Sequence, residues 1–139
     1  MFRIVIDTNV LISALRSQVG ASYALLQLIG MSHFEFCISV SLMMEYEDVA
    51  KRMHRALRLT LQEIDDILDY LCLVGRTQKI YYLWRPALSD PGDDMLLELA
   101  VASNATIIVT HNTAHFKGVN RFGILAMKPK DFLKLLNSK

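Results

Sequence analysis

The sequence predicts an α/β protein: a three-layer α/β/α sandwich with a central parallel sheet and a two-helix arm. Four short runs, Arg3–Ile6, Phe36–Ser39, Thr106–Val109 and Gly123–Met127, are rich in apolar strand formers and bounded by polar or small residues. Strands buried on both faces of a parallel sheet have this composition. Helical patterns separate them, and strand–helix alternation makes crossover units whose helices cover the sheet. The length agrees: 139 residues suit a single domain, 1–139, large enough to bury ~68–70% of its unfolded surface without a disulfide or metal staple.

Each element has its own justification. Asp7-Thr8-Asn9 turns the first strand towards a helix, and all three residues are good caps and turn formers. Ser22–Ile29 is apolar nearly all round, which suits a helix buried between layers. After the second strand, Ser39 or Ser41 opens a helix whose expected buried stripe is Leu42, Tyr46, Val49, Met53 and Ala56. Thr60-Leu61-Gln62-Glu63 is a capping box. Ile64, Ile67, Leu68 and Leu71 then share one helical face, Asp65, Asp66 and Asp69 the other, and Gly75 marks the end. The helical stretch from Ser41 to Leu73 is too long for one crossover helix, so it reads as an arm of two helices that docks a partner. Lys79–Leu83 is a weaker fifth strand. Met95–Ala102 is an apolar helix, and Pro129 opens the last, carrying Phe132, Leu135 and Leu136.

Composition sets limits on function. Lys+Arg 15 against Asp+Glu 14 leaves a net charge of +1, so any polyanion must be met by a local patch. The longest apolar stretch, Ala21 to Met31, is interrupted by Ser22, Gln27 and Gly30 and is too short for the ~20 residues that span a bilayer. The start runs straight into a strand, without the basic segment and cleavage site of a secretory signal. Cys37 and Cys72 have no metal-ligand spacing and read as buried small hydrophobes. The expectation is a soluble, cytoplasmic protein.

The acids point to chemistry. In open α/β sheets ligands gather at the carboxyl ends of strands, and Asp7 follows the first strand while Thr110-His111-Asn112 follows Thr106–Val109. Glu45 falls about 60° from Leu42 around its helix, at the edge of the buried stripe, whereas Glu47 and Asp48 fall on the solvent side. Ser89-Asp90-Pro91-Gly92-Asp93-Asp94 is the densest cluster. Asp90 as cap and Pro91 at the first helical position explain part of it, but not three carboxylates in five residues. Acids converging from three elements repel unless a cation neutralises them. Oxygen ligands with no Cys and few His suit Mg²⁺ or Mn²⁺, ions that serve phosphodiester chemistry.

At these residues the chain resembles the PIN domain, the small metal-dependent ribonuclease fold found in toxins of VapC-type toxin–antitoxin pairs. The likeness rests on Ile4-Val5-Ile6-Asp7-Thr8-Asn9-Val10-Leu11, Glu45, Asp90-Pro91-Gly92-Asp93-Asp94 before Leu97-Glu98-Leu99-Ala100, and Ile108-Val109-Thr110-His111-Asn112. The Thr110–Phe116 run is particularly like the branch of PIN-family toxin components. The resemblance implies metal-binding, catalytic acids at Asp7, Glu45 and Asp93, with Asp90 and Asp94 auxiliary or capping. It places Asn112 where the family often has a fourth acid, and a neutral amide is the weaker ligand. Thr8, Asn9 and Thr110 would orient the acids or a water. The implied activity is Mg²⁺- or Mn²⁺-dependent hydrolysis of RNA, leaving a 5′-phosphate, with a cognate antitoxin and a homodimer as partners.

RNA contact needs cations, and Lys51, Arg52, Arg55 and Arg58 lie on the outer half of the Glu45 helix, with Lys51, Arg55 and Arg58 on one side of it. His111 is a further phosphate candidate, as are Arg16, Lys117 and Arg121 near the strand ends. Phe34, Tyr46, Tyr81, Tyr82 and Trp84 suit the core or a dimer contact better than base stacking. Two other readings compete. A catalytically weak or inactive PIN-like module would bind RNA or protein only, as Asn112 would favour. A receiver-like phosphoacceptor domain would use Thr110 and Lys128-Pro129, but the chain lacks its adjacent acid pair and its Asp at the end of a central strand.

Overall fold

The computed structural model describes residues 1–80 and 90–138. The chain runs β1 (Arg3–Ile6), α1 (Thr8–Arg16), α2 (Ala21–Leu28), β2 (Glu35–Ile38), α3 (Val40–Arg52), α4 (His54–Leu57), α5 (Leu61–Val74), β3 (Arg76–Thr77), α6 (Pro91–Ser103), β4 (Ile107–Val109), β5 (Leu125–Met127) and α7 (Pro129–Asn137). Two 3₁₀ turns, Thr113–Phe116 and Val119–Phe122, link β4 to β5. Among the described residues five strands form one sheet in the order β3-β2-β1-β4-β5, and each of these pairings is parallel. This is the expected α/β/α sandwich. Its core holds Ile4, Val5 and Ile6 of β1 and Ile107, Ile108 and Val109 of β4, all at most 4% exposed.

Local chemistry sets the element ends. Ser39 caps α3 by accepting a hydrogen bond from the Leu42 amide at 3.2 Å. Thr60 and Glu63 close the capping box of α5 reciprocally, at 3.0 and 2.9 Å, and Gly75 ends that helix. Pro129 opens α7, whose Phe132 is fully buried edge-on to Phe34 at 5.4 Å and Phe2 at 6.0 Å. Phe132→Ala should therefore destabilise the protein by about 3–5 kcal/mol, read as a lowered urea midpoint; a midpoint within error of wild type would show that α7 does not anchor the core.

Three expectations are corrected. Among the described residues the sheet's fifth strand is Arg76–Thr77; of the expected Lys79–Leu83, Lys79 and Ile80 lie outside any strand and 81–83 lie outside the described residues. An exposed Arg-Thr pair at a sheet edge carries no hydrophobic signal for a strand. The stretch after Ser39 is three helical pieces, because α3 ends at Met53 and the short α4 restarts the phase. Leu57 is buried in place of Ala56, which is exposed. Cys72 is exposed, on the outer side of α5, while Cys37 is buried as expected. Tyr81, Tyr82 and Trp84 lie outside the described residues. Among the described residues no helix is long and apolar enough to cross a membrane.

Candidate active site

The strand order fixes where a site can form. From β1 the chain winds outward through β2 to β3, then returns to the other side of β1 for β4 and β5. The crevice at the carboxyl ends of β1 and β4 is thus the topological switch point, where open α/β sheets bind ligands. Ile6 pairs in register with Val109, which sets Asp7 beside Thr110, and the Asp7 amide donates to the Val109 carbonyl at 2.9 Å. Asp7 stands at the N-cap of α1 but makes no capping hydrogen bond with its side chain. Its Oδ2 instead accepts from Thr110 Oγ1 at 2.7 Å. Burial pushes the Asp7 carboxyl above its ordinary range, and the charge of Glu45 adds to the rise; Thr110 and the Thr8 and Asn9 amides only partly offset it.

α3 delivers the second acid. Glu45 is half-buried, whereas Glu47 and Asp48 are exposed, as the helical phase requires. Thr8 Oγ1 donates to Glu45 Oε2, tying the first turn of α1 to α3. One residue on, the fully buried Tyr46 hydroxyl donates to the Ile6 carbonyl, the last of β1. Burial and the charges of Asp7 and Glu45 hold that phenol well above its usual range, so it stays a neutral donor. Tyr46, expected as a core aromatic, thus also locks α3 to the strand end that carries Asp7.

The N-terminus of α6 supplies the third group. Asp90 caps it, its Oδ1 accepting from the Gly92 amide at 2.7 Å. A Cβ on Gly92 would stand 3.6 Å from Glu45 Oε1 and 3.2 Å from Asp90 Oδ1, so the glycine leaves room between the two helices' acids. Asp94 is buried. Asp93 differs from the capping residue: its Oδ2 is buried and makes no hydrogen bond among the described residues. His115 Nδ1 stands 3.4 Å from that oxygen, an ion pair when the imidazole is protonated. Burial raises the Asp93 carboxyl above its usual range, and the charges of Asp90 and Asp7 add to this. His115 carries no local signal in the sequence, because only the 3₁₀ turn after Asn112 brings it back to α6.

The loop after β4 is braced rather than free. Thr110 Oγ1 also accepts from the Asn112 amide at 3.0 Å, the His111 amide donates to Asn9 Oδ1 at 3.3 Å, and His111 Nε2 lies 3.0 Å from Ser22 Oγ. Asn112 itself is exposed. Asp7, Glu45 and Asp93, with Thr8, Asn9, Thr110 and Asn112, therefore come from β1, α1, α3, α6 and the β4 loop to one end of the sheet.

The family model for the PIN domain matches residues 3–114. The chain belongs to the PIN-domain family. Its fold is similar to that in a crystal structure of VapBC2 from Rickettsia felis bound to a DNA fragment from their promoter, with a TM-score of 0.61 and 15% sequence identity. The match covers 90% of this chain and 97% of the other. No curated protein matches the chain in sequence.

PIN domains imply a divalent cation, and the donor set of this one can be tested against it. A buried Asp93 oxygen with no hydrogen bond among the described residues, 3.4 Å from His115, two carboxyls raised by burial and by neighbouring acids, and oxygen-only donors fit a hard cation. Among the described residues no three His, Cys, Asp or Glu side chains stand close enough together to hold a metal ion as they are placed.

The expected cationic patch of this PIN domain is partly spent on itself. Lys51 pairs with Glu47 and Asp65, each at 2.8 Å, and these partners hold its ammonium far above the ordinary range. Arg52 pairs with Asp48 at 3.0 Å. The helix breaks at Met53, Arg55 lies on the short α4, and Arg58 follows it in the left-handed region at φ 57°.

Proposed function

We propose that this PIN domain is a Mg²⁺- or Mn²⁺-dependent endoribonuclease, the toxin of a toxin–antitoxin pair, acting in the cytoplasm as a homodimer restrained by a cognate antitoxin. The observation that carries the reading is Asp93 Oδ2, a buried carboxylate oxygen without a hydrogen bond, in a cluster where the Asp7 charge reaches it. Such an arrangement is costly by itself and gains its use when a cation arrives. Asp7, Glu45 and Asp93 would hold the ion. Bound there, the cation would supply a more acidic water and neutralise charge developing on the phosphodiester.

The protein's own groups do the positioning. Thr110 and Thr8 fix the rotamers of Asp7 and Glu45, Asp90 closes the first turn of α6 so that Asp93 faces the cleft, and Tyr46 holds α3 to β1. Exposed Val40, Met44, Leu61, Tyr70 and Leu73 on α3 and α5 are apolar surface for a second subunit or an antitoxin. The Rickettsia felis neighbour, solved as VapBC2 with promoter DNA, supports an antitoxin partner.

Cleavage of single-stranded RNA with Mg²⁺ or Mn²⁺ and with EDTA tests the reading. The expected result is metal-dependent scission leaving 5′-phosphates; activity that persists after chelation, and in both Asp7→Asn and Asp93→Asn, refutes it. Asn112, a neutral amide where the family often has an acid, favours a second reading, a binding module without catalysis. A Mn²⁺ titration with no binding at millimolar concentrations would select it.

A further inference from the structure

A groove of about 700 Å³ runs away from the carboxylates between α1 and α3. At its near end Thr8 meets Glu45, and Asn9 meets the His111 amide. From there the two helices run side by side. α1 presents Asn9, Ile12, Ser13 and Arg16 to the groove, and α3 presents Val49, followed by Met53 at its end. Val49 and Met53 continue the helical row that begins at Glu45, at i, i+4 and i+8. The floor is aliphatic, one wall carries an amide and a hydroxyl, and the far end carries the exposed guanidinium of Arg16. Among the described residues Arg16 makes no ion pair, unlike Lys51 and Arg52.

We propose that this groove is the track for a single RNA strand, and that Arg16 grips a phosphate remote from the one being cut. The inference rests on the nuclease reading and specifies how that site takes its substrate. The chemistry of the groove follows the repeat of a single strand. A carboxylate cluster that needs a cation-bridged phosphate stands at one end, an aliphatic floor for a base in the middle, and a planar cation for another phosphate at the other. Eight residues of helix separate Thr8 from Arg16, about 12 Å of rise. Arg16 is therefore too far away to touch the scissile group and acts as a positioning residue. With Asn9 Oδ1 engaged by the His111 amide, the NH₂ of Asn9 is the donor left for a base edge or a 2′-hydroxyl. The aliphatic floor of Ile12, Val49 and Met53 accepts any base, the only ring in the described lining being His111 at the near end, and sequence preference falls to Asn9 and Ser13.

The test separates binding from cleavage. A labelled single-stranded RNA of about 12 nucleotides is titrated by fluorescence anisotropy in EDTA, where no cleavage is expected, against wild type, Arg16→Ala, Arg16→Lys and Lys130→Ala. Lys130→Ala removes the same charge from α7. Arg16→Ala should weaken binding roughly tenfold and reduce the salt slope by about one, with Arg16→Lys recovering part and Lys130→Ala unchanged. In cleavage assays with metal, Arg16→Ala should raise KM and leave kcat in place. Arg16→Ala binding RNA as tightly as wild type overturns the proposal, as does a loss matched by Lys130→Ala. Retention of RNA with loss of a protein partner overturns it too, because the groove would then be a peptide site. If wild type binds RNA through Arg16 yet never cleaves it, the track stands and the nuclease reading falls.

Discussion

Asp93→Asn is expected to raise the melting temperature of the metal-free protein while removing its nuclease activity. The Asp93 carboxyl is raised above its ordinary value by burial first, then by the charges of Asp90 and Asp7, with His115 only partly compensating. A carboxyl whose folded-state pKa exceeds its unfolded value binds its proton more tightly when folded. Stability is then greatest below the ordinary Asp value and falls as pH rises through the window up to the raised one. At neutral pH the ionised group is a net cost, and the isosteric amide removes the charge without removing the volume. The same change takes away a cation ligand, for a loss of roughly 10²–10³-fold in turnover, as when one charge-stabilising group is deleted elsewhere. Melts in EDTA should put the variant a few degrees above wild type at neutral pH, with the gap closing towards acid. Saturating Mg²⁺ should then stabilise wild type more than the variant, since a ligand stabilises only the state it binds. A variant that melts below wild type at every pH would show that Asp93 holds the fold together rather than a metal.

That trade between stability and chemistry explains why some of the site was legible in the sequence. An ionisable residue at the lip of an apolar strand, such as Asp7, or on the inner edge of an amphipathic helix, such as Glu45, breaks the local pattern, and periodicity exposes it. The α6 cluster was legible as a group but not within itself. Asp90 and Asp93 both suit a helix N-terminus, and only the structure separates the residue that caps the Gly92 amide from the one whose buried oxygen lies 3.4 Å from His115. Contacts across long separations left no local trace. His115 reaches Asp93 through a 3₁₀ turn, Ser22 braces His111 from 89 residues away, and the Tyr46 hydroxyl seeks the Ile6 carbonyl beneath an ordinary core position. The helix that carries the cationic stripe was misjudged for a related reason. Its spacing assumed one unbroken helix, and the restart at Met53 changes the phase of everything after it. β3 escaped because a two-residue edge strand buries nothing and needs no apolar side chain.

Thr110→Val should separate the two jobs of a side chain that links the end of β1 to the β4 loop. Thr110 is fully buried; its Oγ1 donates to Asp7 Oδ2 at 2.7 Å and accepts from the Asn112 amide at 3.0 Å. Valine keeps the shape and removes both bonds, leaving a carboxylate and an amide short of partners, for a loss of about 1–3 kcal/mol. The hydrogen bond from Thr110 is the largest influence holding the Asp7 carboxyl down against burial and the Glu45 charge. Without it Asp7 stays protonated to higher pH. The acid limb of the kcat/KM profile should therefore move upward, and activity at neutral pH should fall by roughly 10–100-fold, the usual effect of removing a group that orients a ligand. Thr110→Ser retains the hydroxyl and should keep the wild-type profile with a small loss of packing. If serine shifted the profile as far as valine, the methyl contact would be the working part of Thr110. If neither variant moved it, Asp7 would not be the group whose ionisation limits the reaction, and the acid limb would have to belong to Glu45 or Asp93.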